Sequence, residues 1–120
     1  MARMTGGTAI VKSLRAYGVD TMFGIPGVQL DYFFNALHDE RNGIRFIQNR
    51  HEQGGGYMAF GYAASSGKVG AYAVVPGPGF LNSSAALSTA YACNSPVMCI
   101  TGQVASDKID RHIGSHHEIN

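Results

Sequence analysis

The chain has 120 residues, 45% of them hydrophobic, and its 9 Lys and Arg against 8 Asp and Glu give a formal net charge of +1. That suits one domain around one core; without a Lys/Arg cluster, nucleic acid and anionic membrane are poor partners, and no apolar run approaches the ~20 residues of a membrane span. Charged residues reach only 14%, against about 25% in a typical soluble domain, so part of the surface is expected to face a partner domain or subunit.

The first residues lack the apolar stretch of a signal peptide. Cys93 and Cys99 are the only cysteines. They sit among apolar residues without metal or redox spacing, which suits a reduced, cytoplasmic protein.

Residues 8–17 read as a helix, with Ile10, Leu14 and Tyr17 on one face and Gly18 as its stop. Residues 21–24 read as a short strand running into Gly24-Ile25-Pro26-Gly27. Leu30, Phe33, Phe34 and Leu37 follow at the i, i+3, i+4, i+7 spacing of an amphipathic helix. Asn42-Gly43 marks a turn, and residues 44–48 alternate as a strand. A helix is expected from near Glu52 to about Ala64, closed by Ser65-Ser66-Gly67. Residues 69–75 form a third strand that breaks at Pro76-Gly77-Pro78-Gly79. A helix rich in Ala and Ser covers residues 80–92, Ser95-Pro96 breaks it, and residues 97–101 form a fourth strand. Beyond Gly102 the periodicity fades, and residues 107–120 read as a polar loop. Strands alternating with helices through short connections predict an α/β fold: an open parallel sheet with helices on both faces, three-layer and Rossmann-like.

In such sheets ligands bind beyond the carboxyl ends of the strands. The unusual residues fall there: Gly24–Gly27, Arg50-His51-Glu52, Pro76–Gly79 with Asn82 one turn later, and Thr101-Gly102-Gln103. The glycine turn before residue 80 loosely resembles a phosphate-binding loop, but it is not G-x-G-x-x-G and Pro78 removes one N–H donor. A tight strand-to-helix turn explains the segment equally well. Glu52 would favour the dipole of the helix it opens. Gly54-Gly55-Gly56 in the first turns each cost about 1 kcal/mol relative to Ala, so a ligand or a packed helix is expected to approach that backbone closely. His38 reads as a solvated group near a helix end. His116 and His117 are adjacent, point apart on any regular element, and have no third ligand at zinc spacing, so no metal site is expected.

Arg50-His51-Glu52-Gln53-Gly54-Gly55-Gly56-Tyr57-Met58-Ala59-Phe60-Gly61-Tyr62-Ala63 resembles the RHEQGAxxMAxGYA signature of thiamine-diphosphate enzymes of the acetolactate synthase, 2-hydroxyacyl lyase and 2-oxo acid decarboxylase type. Three further stretches match in the same order: Phe23 to Gly27, Gly77 to Asn82, and Ser95 to Gln103. The resemblance covers nearly the whole chain. It implies that residues 1–120 are a pyrimidine-binding domain of thiamine diphosphate. A glutamate at the Glu52 position then hydrogen-bonds N1′ of the aminopyrimidine and favours its imino tautomer, so that N4′ can take the proton from C2. Pro26, Gly27, Pro78 and Asn82 map onto cofactor-binding positions, and His117 onto a substrate-facing one. Pro76 stands where the family usually has Ser, and Phe60 where it often has an acid. A histidine near a position often held by Gln turns the reading away from acetolactate synthase itself, towards lyase or decarboxylase chemistry.

The resemblance also implies Mg²⁺, bound with the diphosphate through a Gly-Asp-Gly motif that this sequence lacks. The implied partners are a diphosphate-binding domain or subunit, a second copy in a homodimer or tetramer, and a small 2-oxo acid. The chain then reads as the N-terminal part of a longer enzyme or as a separate subunit. Two other readings compete: a non-catalytic pyrimidine-domain module that only pairs with other subunits, and an unrelated nucleotide-binding domain.

Overall fold

The computed structural model describes residues 3–40, 43–115, 117 and 118. The first helix, α1 (Gly6–Ala16), is capped by Thr5, whose side chain accepts from the Thr8 N–H. It begins two residues earlier than its periodicity suggested, and its inward face is Val11 and Leu14. Ile10 is 45% and Tyr17 84% exposed, so the expected stripe through Ile10 and Tyr17 is corrected to one centred on Val11. The reason is tertiary: Val11 and Leu14 are the residues that meet Phe33 and Leu37 of the next helix in one core cluster.

The remaining elements are β1 (Thr21–Gly24), a 3-10 turn (Val28–Leu30), α2 (Asp31–Asp39), β2 (Arg45–Gln48), α3 (Glu52–Ser66), β3 (Gly70–Val74), α4 (Pro78–Ala92) and β4 (Val97–Thr101). Pro78 occupies the first turn of α4, where its missing N–H costs nothing and its fixed φ suits a helix, so α4 starts before residue 80. Gly67 closes α3 in the left-handed conformation at φ +69°. Gly43 lies in a turn, its N–H donating to the Glu40 carbonyl; Asn42, the other half of the expected turn, is outside the described residues, as is His116.

The four strands run in the order β2-β1-β3-β4 and every pairing is parallel. β3 is buried along its whole length, as a central strand covered on both faces should be. Its alternate residues feed two cores: Ala71 and Ala73 join Val11, Met22 and Leu37, while Tyr72 and Val74 join Phe23 and Ala59. The open three-layer α/β architecture expected from the sequence is the one observed.

Between α3 and α4 the backbones approach closely. A methyl group on Gly56 would lie 2.7 Å from the Ala86 Cβ, and one on Gly55 would lie 2.5 Å from the Asn49 Oδ1, whereas one on Gly54 would meet none of the described residues within 4 Å. The close approach expected at these glycines is therefore a packed helix at Gly56. Under α4, the Tyr72 hydroxyl donates to Ser83 Oγ at 3.0 Å, and Ser83 Oγ donates to the Phe80 carbonyl at 2.8 Å. Both side chains are fully buried, and burial pushes the Tyr72 phenol pKa up. Cys99 packs beside Tyr72 and burial raises its thiol pKa as well. Cys93 is exposed, not set among apolar neighbours as its sequence context suggested, because it caps the solvent end of α4.

One surface cluster ties the start of β1 to the end of α3. Asp20 accepts from Lys68 Nζ at 2.6 Å and from the Tyr62 hydroxyl at 2.5 Å. These bonds, Lys68 first, lower the Asp20 carboxyl pKa to about 2. A depressed folded-state pKa stabilises the fold above the ordinary carboxylate value and loses that contribution as pH falls through the folded value. Asp20→Asn is therefore expected to flatten the decline of stability between about pH 4 and pH 2. Urea midpoints across that window check it. The change should be small, since Lys68 and Asp20 are 54% and 46% exposed.

Candidate functional site

Because the strands are all parallel, their carboxyl ends share one edge of the sheet. β1 and β3 are neighbours, yet the chain leaves β1 outward towards β2 and leaves β3 outward towards β4. That is a topological switch point, where open α/β sheets place ligands. The loops flanking it are pressed together. Gly24 ends β1 at φ +147°, with the Ala73 backbone where a side chain would go, and the Ile25 N–H donates to the Ala73 carbonyl at 3.1 Å. Gly27 lies directly against the Val75 side chain.

Glu52 is the first residue of α3. The preceding His51 caps the helix, its Nδ1 accepting from the Gln53 N–H at 3.2 Å. Asn49 Nδ2 donates to the His51 carbonyl at 2.6 Å and fixes the approach from β2. The Glu52 carboxylate is half-buried and sits where the helix dipole favours a negative charge. Across the gap between helices, Asn82 Nδ2 donates to Glu52 Oε2 at 3.1 Å.

Gly77 precedes α4 at φ +63°, a conformation that suits glycine, and this turn presents an exposed Pro78. Pro26 is likewise exposed on the β1 loop. His117 packs its backbone on Gly77, where a methyl would lie 3.0 Å from its Cα, and its Nδ1 lies 3.4 Å from Gln29 Oε1. The structure thus joins Glu52 to Asn82, Gly27 to the β3 loop, and His117 to the Gly77 turn before Pro78.

Two residues at this edge carried no sequence signal of their own. Gln29 lies in a 3-10 turn that apolar periodicity does not register. Asn49 follows β2, and its Oδ1 is buried with no partner among the described residues, beside a concavity of about 640 Å³ lined by Ile25, Gln48, Asn49 and Arg50. The only pointer to either was its place just past a strand end.

The donor set fits an aminopyrimidine. A half-buried glutamate can exchange a proton with a ring nitrogen, and Pro26 and Pro78 are exposed on the loops that flank the switch point. Among the described residues no three His, Cys, Asp or Glu side chains converge as a metal site, and no helix is long and apolar enough to cross a membrane.

The family model described as thiamine pyrophosphate enzyme, N-terminal TPP binding domain, matches residues 4–120. The chain belongs to the thiamine pyrophosphate enzyme family. As an N-terminal domain of that family, it is 44% identical over 115 residues to the probable 2-ketoarginine decarboxylase of Pseudomonas aeruginosa, covering 96% of this chain and 20% of that protein. It is 42% identical over 109 residues to the acetolactate synthase large subunit of Haemophilus influenzae, covering 91% of this chain and 19% of that one. A probable acetolactate synthase large subunit of Methanocaldococcus jannaschii is 42% identical over 106 residues, 88% of this chain and 18% of that one. The thiamine pyrophosphate enzyme domain described here therefore spans about a fifth of the length of these curated relatives.

Proposed function

We propose that this domain binds the aminopyrimidine of thiamine diphosphate and that Glu52 activates it for decarboxylation, lyase or carboligation chemistry on 2-oxo acids or 2-hydroxyacyl compounds. The observation that carries the reading is the Glu52 carboxylate, held at the head of α3 by the His51 cap and bonded to Asn82 of α4. Thiamine diphosphate, when bound, supplies the electron sink for bond cleavage next to a carbonyl.

Each residue has a task in that reading. Glu52 holds or gives a proton at N1′ of the pyrimidine. Asn82 aims the carboxylate by engaging one oxygen, leaving the second for the ring. Pro26, Gly27 and Pro78 shape the slot, with Gly27 allowing the β1 loop to lie flat on Val75. His117, whose backbone rests on Gly77, faces the reacting carbonyl of the substrate in this reading. Mg²⁺ and the diphosphate belong to a second domain, in a longer chain or a separate subunit, and the working unit is a dimer or larger in the cytoplasm.

The outward sides of α3 and α4 support such a partner. On α4 Leu81 is 61% and Tyr91 88% exposed, and on α3 Tyr57 and Met58 are exposed as well. α4 carries no charged residue and α3 only Glu52. Surfaces of this kind mark interaction sites.

Calorimetric titration of thiamine diphosphate with Mg²⁺ tests the reading, on this chain alone and mixed with a diphosphate-binding partner. Heat is expected only in the mixture, at micromolar or tighter affinity. No heat in either case, from folded protein shown to associate with its partner, would favour the module that only pairs with other subunits.

A further inference from the structure

At the carboxyl edge of the sheet, the turn after β1 and the loop after β4 enclose a concavity of about 560 Å³, within the range of small-molecule sites. The two segments are brought together at Gly102, where an added methyl would lie 2.6 Å from the Gln29 carbonyl oxygen. Val28, Gln29 and Tyr32 line the cavity from the β1 side, and Val104, Ala105 and Lys108 from the β4 side. Val28 is 79% and Tyr32 85% exposed, so large apolar groups stand open to solvent here. The Lys108 N–H donates to the Ala105 carbonyl at 2.8 Å, a turn that brings both residues to the same cavity. Among the described residues Lys108 is the only charged one that lines it, and no carboxylate pairs with it. Asp107, Asp110 and Glu118 belong to the same segment but do not line the cavity, and Glu118 is engaged by the Asp110 N–H at 2.9 Å.

The cavity adjoins the place given to the substrate. Val28 follows Gly27, a proposed cofactor position, and Gln29 Oε1 lies 3.4 Å from His117 Nδ1. From this placement we infer that the cavity receives the side chain of the 2-oxo acid and that Lys108 determines specificity, selecting an apolar chain that ends in a carboxylate. The substrate class is then a 2-oxo dicarboxylic acid, with several methylenes between the keto group and the distal acid. The inference rests on the proposed reaction with 2-oxo acids and adds the class of side chain. Methylenes gain by leaving water against Val28, Tyr32 and Val104. A lysine ammonium is a compact cation with three donors and no acceptor, so it attracts a distal carboxylate and repels a distal guanidinium. A neutral branched tail gains the apolar contact alone. Lys108 touches no reacting atom in this arrangement; it sorts substrates by charge.

The test uses the assembled holoenzyme and three acids of similar length. They are 2-oxoadipate, 6-methyl-2-oxoheptanoate, in which an isopropyl group replaces the distal carboxylate, and the cationic 2-oxo-5-guanidinopentanoate. The wild type is expected to favour 2-oxoadipate over the neutral acid in kcat/KM by about tenfold or more, the scale of one hydrogen bond between charged groups, and mainly through KM. Lys108→Met should abolish the preference, Lys108→Arg keep it, and Lys108→Glu turn it towards the guanidino acid. A folding defect cannot produce that inversion. A wild type that does not prefer 2-oxoadipate, or a preference that survives Lys108→Met, overturns the inference and leaves the proposed reaction standing. Calorimetric titration of 2-oxoadipate identifies the other failure. Binding that Lys108→Met weakens, without turnover of any of the three acids, sinks the proposed reaction and leaves the specificity standing; neither binding nor turnover overturns both.

Discussion

Replacing Glu52 by Gln in the assembled enzyme is expected to slow exchange of the cofactor's C2 proton by about 10²–10⁴-fold, the usual scale of a lost acid–base group. Cofactor affinity should change far less. Glutamine keeps the length and shape of the side chain, and its carboxamide oxygen can still accept from Asn82 Nδ2, as Glu52 Oε2 does at 3.1 Å. What it loses is the ability to take up and return a proton at the ring nitrogen. A single substitution thus separates proton handling from placement. The measurement is C2–H exchange against deuterium by quenched-flow NMR, with calorimetry for affinity. Asn82→Ala is the companion variant: it leaves the carboxylate but frees its orientation, so it should cost less than Glu52→Gln. Normal exchange in Glu52→Gln would remove Glu52 from the proposed role, and a proportionate loss of affinity would make it a binding residue.

The largest effect on stability is expected at Gly24. Its φ of +147° is one that L side chains rarely adopt, and an added methyl would run into the Ala73 carbonyl oxygen, with the Ala73 amide nitrogen 2.9 Å away. Neither clash is with a flexible side chain, so β1 and β3 would have to part. Their separation endangers the Ile25 N–H bond to Ala73 and the Asn49 N–H bond to Gly24, both 3.1 Å. Backbone strain alone costs on the order of 1–3 kcal/mol, and the broken pairing brings Gly24→Ala to about 3–5 kcal/mol. Domains of this size commonly hold about 5–15 kcal/mol in total. Urea denaturation should find Gly24→Ala near the edge of folding. Gly61→Ala, where none of the described residues lies within 4 Å of the added carbon, is the control and should be neutral or stabilising. An unchanged midpoint in Gly24→Ala would mean that the two strands do not press together as described.

How much of this was legible beforehand depended on distance along the chain. α2 and α3 announced themselves through spacing and stop residues, because a helix is a local object. The edge shared by Gly24–Gly27, Glu52 and Pro76–Gly79 could be placed without coordinates, since a parallel sheet aligns all its strand ends. The face of α1 was misread because Ile10 and Val11 are equally apolar, and only α2 decides which turns inward. The Asp20–Tyr62–Lys68 cluster joins residues 42 and 48 positions apart, and no local pattern encodes that meeting. The Glu52–Asn82 pair spans 30 positions. Both residues stood out by their place past strand ends and by family resemblance, but their hydrogen bond belongs to the packing of α3 on α4. Gln29 gave no signal because it lies in a 3-10 turn, and the residue pressed against it, Gly102, comes just past β4, two places from β1 in the sheet.

The edge position of β4 bears on how such a polypeptide must be handled during synthesis. Its residues, Val-Met-Cys-Ile-Thr, contain no charge and no proline, and among the described residues nothing pairs with its outer side. Natural edge strands are commonly guarded by lysines, prolines or bulges; this one has none within its span. A nascent chain that has just cleared the ribosome with β4 formed would offer a ready template to the strands of its neighbours on the same polysome. Quick burial of that edge, or a chaperone holding it meanwhile, then decides whether the product is folded or aggregated.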